Sequence, residues 1–231
     1  MYINMTTFSE RQRIAFEQYS CGENVFITGP GGSGKTHLIR HIQRDAKEKD
    51  KVVQVCALTG TAAVILECSA KTIHSWGGIG LANGIQQDIL ERVIKNSSKR
   101  RVWRDIEVLI IDEVSMMSAS LFELLDMIAK ACRKNTRPFG GIQVIFSGDF
   151  FQLPPVCTSN VDIKKSQFCF ESPLWNEVFD TDAHIQLNTI FRQDDDDYKQ
   201  VLNEVRIGKM SEKTIEILED CVDKKVDDAD P

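Results

Sequence analysis

The chain has 231 residues, 42% of them hydrophobic and 27% charged, ordinary globular values for a length that can bury a sizeable core in one domain plus a small appendage. Its net charge of −6 is uneven: residues 1–140 carry 19 Lys and Arg against 15 Asp and Glu, a net of +4, whereas residues 141–231 carry 9 against 19, a net of −10. No apolar run approaches the roughly eighteen residues of a membrane span, and "MYINMTTFSE" has neither a signal-peptide core nor an Arg-rich transit pattern, so a soluble intracellular protein is expected.

In chain order, "FSERQRIAFEQYS" places Ser9 as an N-cap ahead of Ile14, Phe16 and Tyr19 and predicts a first helix. "NVFIT" (24–28) reads as a short buried strand, followed by a Gly-rich turn and a helix from about Gly34 to Lys49. "KVVQVCAL" (51–58) is the next strand, and "EVLIID" (107–112) another, apolar throughout like parallel strands buried on both faces. Leu121, Leu124, Leu125 and Ile128 recur at helical spacing within 119–134. Strands at 142–147 and 183–187 and helices at about 195–207 and 212–221 complete the order. Strands alternating with helices predict an α/β fold with a parallel sheet. Residues 76–103 resist the pattern: Gly-rich at first, then one helix, then basic, they read as a small insertion above the sheet.

Seven cysteines (21, 56, 68, 132, 157, 169 and 221) lie far apart with no CxxC pair, which argues for reduced thiols over a metal or disulfide framework. "HLIRH" has the i,i+4 histidine spacing of a zinc helix in His37 and His41, but lacks the Glu that HExxH chemistry uses, so solvent or packing roles are expected. Two compact basic stretches, 95–104 and 130–137, support nucleic-acid contact only weakly, because most charge runs are solvated faces.

"GPGGSGKT" carries the first chemistry. Gly29, Gly31, Gly32, Ser33, Gly34, Lys35 and Thr36 satisfy GxxxxGK[ST] directly after a strand and before a helix. Glycines there let backbone N–H groups curl around phosphate oxygens, and the helix start adds positive potential. Lys35 is expected on the β- and γ-phosphates and the Thr36 hydroxyl on Mg²⁺. Asp112 closes an apolar strand with Glu113 beside it. The first suits magnesium, directly or through water, and the second suits a general base that polarises water.

"GGIQVIFSGDFFQLPPV" (140–156) is a buried strand that ends in a stiff loop, because Pro154 and Pro155 forbid further pairing. Ligands of open parallel sheets sit beyond the carboxyl ends of the strands, so this loop is expected beside Asp112, with the Gln152 amide near a γ-phosphate. A residue that reports on the phosphate suits a motor. A P-loop phosphotransferase also accounts for Lys35 and Asp112, but leaves this loop and the basic insertion without a role.

"FSERQ", "GPGGSGKT", "ALTGTAA", "KTIHSWGGIG", "IIDEVSMM", "PFGGIQVIFSGDFFQLPPV" and "LNTIFRQ…VLNEVRIGK" follow one another as in the Pif-family DNA helicases of superfamily 1B. The chain resembles that family from about residue 8 to 210, and the stretch Ser115 to Val156 resembles its own signature. The resemblance implies a P-loop NTPase of RecA-like parallel sheet flanked by helices, made of residues 1–75 and 104–210. A wedge subdomain would occupy 76–103, and a C-terminal helix and acidic tail (211–231) would lead towards a second RecA-like domain that this chain does not contain. It implies an ATP- and Mg²⁺-dependent 5′-to-3′ helicase acting on single-stranded and forked or structured DNA. Replication, repair, recombination or telomere maintenance would be its setting, in a nucleus, a mitochondrion or DNA-containing cytoplasm. The 231 residues alone are expected to bind nucleotide and hydrolyse it weakly.

Residue by residue, Gln12 resembles the glutamine that recognises adenine, and Arg192 the arginine that contacts the γ-phosphate. On residue grounds alone Arg192 suits a surface salt bridge equally well. Lys35, Thr36, Asp112, Glu113 and Gln152 match the ATPase positions. Thr59, Gly60, His74, Ser75 and Pro155 fall on the expected single-strand track. Trp76 would stack on a base there, although an isolated Trp is more often core.

Overall fold

The computed structural model describes residues 8–82, 84–156, 167–191 and 195–222. Six strands form one sheet: β1 (Val25–Thr28), β2 (Val53–Ala57), β3 (Lys71–Thr72), β4 (Val108–Asp112), β5 (Gln143–Ser147) and β6 (His184–Gln186). Their order is β3-β2-β4-β5-β1-β6, and every pairing is parallel. β1 therefore lies next to β5 and β6, with β4 one strand further on, so the loops that follow β1, β4 and β5 gather at one end.

Alternation along each strand divides the core into two layers. Val25, Ile27, Val55, Val108, Ile110 and Ile145 face α1 (Glu10–Ser20), α2 (Lys35–Glu48) and α3 (Gly60–Ile65). Phe26, Leu109, Ile111, Val144 and Phe146 face α4 (Ile73–Gly77), α5 (Gln86–Lys95), α6 (Ser97–Asp105), α7 (Ala119–Arg133) and α8 (Trp175–Val178). Each fully buried Ile or Phe contributes roughly 1.5–3 kcal/mol of transfer free energy. Two further helices, α9 (Asp196–Ile207) and α10 (Glu212–Val222), follow β6. This is the parallel α/β sheet that the alternating pattern predicts, in the RecA-like arrangement that the family resemblance implies.

Caps account for the helix starts. Ser9 accepts from the Gln12 N–H, while the Gln12 side chain accepts from the Ser9 N–H, a reciprocal capping box. Thr59, Thr72 and Ser118 cap α3, α4 and α7 by the same hydroxyl-to-backbone bond. The short elements α3, β3 and α4 are additions to the expected list; a helix of 5 or 6 residues is too short to show periodicity, and its capping threonine is its one local signal. Two helices, α5 and α6, stand where residues 76–103 promise one, and α6 runs on to Asp105. Asn96 ends the first and caps the second through Oδ1 on the Lys99 N–H.

Trp76 is corrected here. It is 6% exposed, in the core, with its ring 4.7 Å from that of Trp103. Packed in this way it has no face to offer a base, so stacking gives way to anchoring α6 on α4. Much of the basic stretch is also already engaged. Lys99 donates to the Ser75 and Trp76 carbonyls, Arg101 and Arg104 pair with Asp105, and Arg133 donates to the Gly140, Arg104 and Ile106 carbonyls.

Candidate nucleotide site

The loop after β1 turns where only glycine fits. At Gly29, φ is 146° and an added Cβ would stand 2.5 Å from the Leu187 carbonyl; at Gly34, φ is 86° and a Cβ would stand 2.5 Å from Gln12 Nε2. Gly34 is also the N-cap of α2 and supplies no side-chain bond. The first N–H groups of that 14-residue helix therefore keep their donors, and the helix dipole favours an anion there. Lys35 reaches back over the turn, its ammonium donating to the Gly29 carbonyl at 2.7 Å and the Pro30 carbonyl at 3.1 Å. Burial lowers its pKa, while Asp149, Asp112 and Glu113 pull the other way.

β4 delivers the acids. Asp112 pairs in register with Ala57 of β2 and is 5% exposed. Burial raises its carboxyl, against the Lys35 charge, which lowers it. Glu113 follows with φ 59° and ψ 39°, a left-handed conformation that costs a non-glycine residue about 1–3 kcal/mol and clusters at functional sites. That turn leads the chain out of the strand. Burial and the neighbouring Asp112 charge raise the Glu113 carboxyl, which makes it a stronger base than an exposed Glu.

β5 ends at Ser147, and its loop passes so close to the β4 turn that a Cβ on Gly148 would stand 2.9 Å from the Val114 nitrogen. Asp149 follows, 1% exposed, and Gln152 Nε2 donates to its Oδ2 at 3.2 Å. One cleft is lined by Gly31, Gly32, Ser33, Gly34, Lys35, Thr36, Asp112, Glu113 and Gln152. The residues predicted from two separate motifs and the proline-ended loop thus meet in one place.

Two neighbours of this cleft were not singled out as site residues by sequence reasoning. Phe191 donates its N–H to the Gly32 carbonyl at 2.9 Å, and its ring lies about 3.4 Å from the Cβ position of Gly34. The FRQ motif contains it, but an aromatic beside an arginine carries no signal of its own. Asp149 lies inside the proline-ended loop without a sequence cue to its burial. Gln12, 1% exposed, spends Oε1 on the Ser9 N–H and Nε2 on the Gly34 carbonyl, so it ties α1 to the turn. Arg192 lies outside the described residues.

The expected DNA residues divide. His74 and Pro155 line one pocket together with Leu58, Met116 and Leu124, and burial lowers the His74 pKa. Thr59 belongs instead to a cleft shared with Thr36, Asp112, Glu113 and Gln152. Gly60 and Ser75 are exposed at the starts of α3 and α4. His37 and His41 bring their Nε2 atoms to 3.2 Å beneath the edge of Phe8, and among the described residues no group of three metal-ligating side chains exists.

A Gly-rich strand–turn–helix with a lysine, facing two strand-end carboxylates in a RecA-like sheet, defines the class as a P-loop nucleotide-binding protein. Within that class the chain belongs to the PIF1-like helicase family, whose profile matches residues 7–218. It is 40% identical over 200 residues to "ATP-dependent DNA helicase PIF1" of Emericella nidulans, covering 84% of this chain and 26% of that protein. It is 36% identical over 204 residues to "ATP-dependent DNA helicase RRM3" of Saccharomyces cerevisiae, covering 87% and 28%. Among solved structures, the Pif1 helicase from Candida albicans superposes with a TM-score of 0.83 at 37% identity, over 94% of this chain and 47% of that one. The ssDNA-bound Bacteroides Pif1 gives 0.75 at 26% identity, over 97% and 51%. The chain thus spans about a quarter of these curated relatives and about half of the solved structures.

Proposed function

We propose that these residues form the ATP-binding half of a DNA helicase motor that moves 5′ to 3′ on single strands and opens forked duplex. The observation that carries the reading is the single cleft shared by Lys35, Thr36, Asp112, Glu113 and Gln152. Backbone N–H groups of residues 31–36 bind the phosphates, Lys35 moves from the loop carbonyls to the β- and γ-phosphates, and Glu113 takes a proton from the attacking water. Gln152 senses the γ-phosphate. Gln12 serves the adenine end once its bonds to Ser9 and Gly34 open, and Arg192 serves the transition-state charge.

The donor set fits Mg²⁺: a buried carboxylate and a hydroxyl are both oxygen ligands, and this ion keeps few protein ligands. Thr36 and Asp112 would hold it, and when bound it neutralises phosphate charge. Gly60, His74, Ser75 and Pro155 form the single-strand track, with Thr59 where it meets the nucleotide cleft, and residues 76–103 act as the wedge at the junction, with exposed Arg100 available to phosphate. A second RecA-like domain in the whole protein completes the track. The setting proposed for this motor is DNA replication, repair or recombination.

The test is ATP turnover of the whole protein with and without single-stranded DNA. Strong stimulation, lost by about 10²-fold or more in Glu113→Gln, is expected; equal turnover with and without DNA overturns the reading. Unwinding of duplexes with a 5′ but not a 3′ single-stranded tail checks the direction. The 231 residues by themselves, a quarter of their relatives' length, are proposed to bind nucleotide and single strand with slow hydrolysis, and robust unwinding by this piece would refute that.

A further inference from the structure

Asp149 and Arg206 are 57 residues apart in sequence and meet in a two-pronged ion pair. Arg206 Nε donates to Asp149 Oδ2 at 2.7 Å, and Nη2 to Oδ1 at 2.7 Å. The guanidinium also lies 4.4 Å from the centre of the Phe151 ring. The Oδ2 that takes Arg206 takes Gln152 Nε2 as well, at 3.2 Å. One carboxylate is therefore shared between the last turn of α9 and the amide that faces the P-loop.

A fork of this kind is among the stronger polar contacts, and a buried carboxylate stripped of its partner is costly. Meanwhile α9 itself is lightly held: Val201 is its one buried residue, and Tyr198, Leu202 and Val205 are exposed. Elements with few buried apolar contacts move at low cost.

We propose that Arg206 is a positioning residue for ATP turnover: by forking Asp149 it sets the place of the Gln152 amide, so that movement of α9 is felt at the phosphates. With α9 docked, the carboxylate is matched and Gln152 takes only part of it. With α9 withdrawn, the carboxylate turns on Gln152 and draws its amide away from the phosphates. The inference deepens the ATP-driven motor reading above and rests on it.

The test is a double-mutant cycle in the whole protein between Arg206→Ala and Gln152→Ala. It reads kcat and KM for ATP at saturating single-stranded DNA, affinity for a fluorescent ATP analogue, and Tm. Each single variant is expected to lose about tenfold in kcat, with the double variant within about threefold of the worse single. Arg206→Lys, which keeps the charge without the fork, should recover part of kcat. Losses in kcat that multiply in the double variant mean that Arg206 contributes stability only, and overturn the proposal. Where Arg206→Ala folds poorly, Asp149→Asn with Arg206→Met removes the buried charge together with its partner. Reduced kcat then supports the proposal and near-wild-type kcat overturns it. A wild type indifferent to DNA sinks the motor reading and this inference together; a stimulated wild type with multiplying losses sinks this inference alone.

Discussion

Asp112 is a carboxylate held where water is scarce. Burial raises its pKa, so its charged form costs stability at pH values above the folded pKa, and that cost fades as pH falls through it. Asp112→Asn is therefore expected to raise the Tm of the nucleotide-free protein, by about 2–4 °C for each kcal/mol released in a domain of this size, while it abolishes turnover. A calorimetric scan alongside an ATPase assay checks both, and an unchanged or lowered Tm would show that the charge is satisfied in the fold. Gly29 gives the opposite case: Gly29→Ala drives a Cβ against the Leu187 carbonyl, so loss of both nucleotide binding and stability is expected. At this scale the phosphate turn was legible because its residues are contiguous. The burial of Asp149 was not, and that of Trp76 was legible only as the commoner fate of an isolated Trp, because burial depends on what packs from elsewhere in the chain.

Among elements, α6 shows how packing overrides a local reading. Its basic residues suggest a surface for DNA, but Trp103 fixes it to the fold: fully buried, it donates Nε1 to the Gly77 carbonyl at 3.0 Å and packs on Trp76. Trp103→Ala is expected to cost about 3–5 kcal/mol, and Trp103→Phe less, since most of the apolar volume remains. Urea midpoints measure both; a loss below about 1 kcal/mol for the alanine variant would mean that α6 is anchored elsewhere. Long elements such as α2 and α7 announced themselves by periodicity and caps. The short α3, β3 and α4 did not, since fewer than two turns cannot display a repeat.

Across the whole molecule, the Asp149–Arg206 pair joins α9 to the sheet and should shape acid stability. Burial alone would raise the Asp149 carboxyl, but Arg206, Gln152 and the Phe151 N–H outweigh it and hold it below the ordinary carboxylate value. A depressed folded pKa contributes stability that is present above the unfolded value of about 3.9 and is lost as pH falls through the folded one. Tm should therefore drop on acidification below about pH 4, and the drop should be shallower in the Asp149→Asn/Arg206→Met variant; parallel curves would show that the pair carries no such linkage. What the amino-acid order by itself determined was each strand but β3, the long helices outside 76–103, the phosphate turn and the order of the family's motifs. Those signals lie within a dozen neighbouring residues and survive without the fold. Only the tertiary structure decided the strand order by which Lys35, Asp112 and Gln152 meet in one cleft as expected, that Arg206 reaches Asp149 across 57 residues, and that Trp76 faces Trp103. Such meetings depend on strand order and on which surfaces lose water together, and no local pattern encodes either.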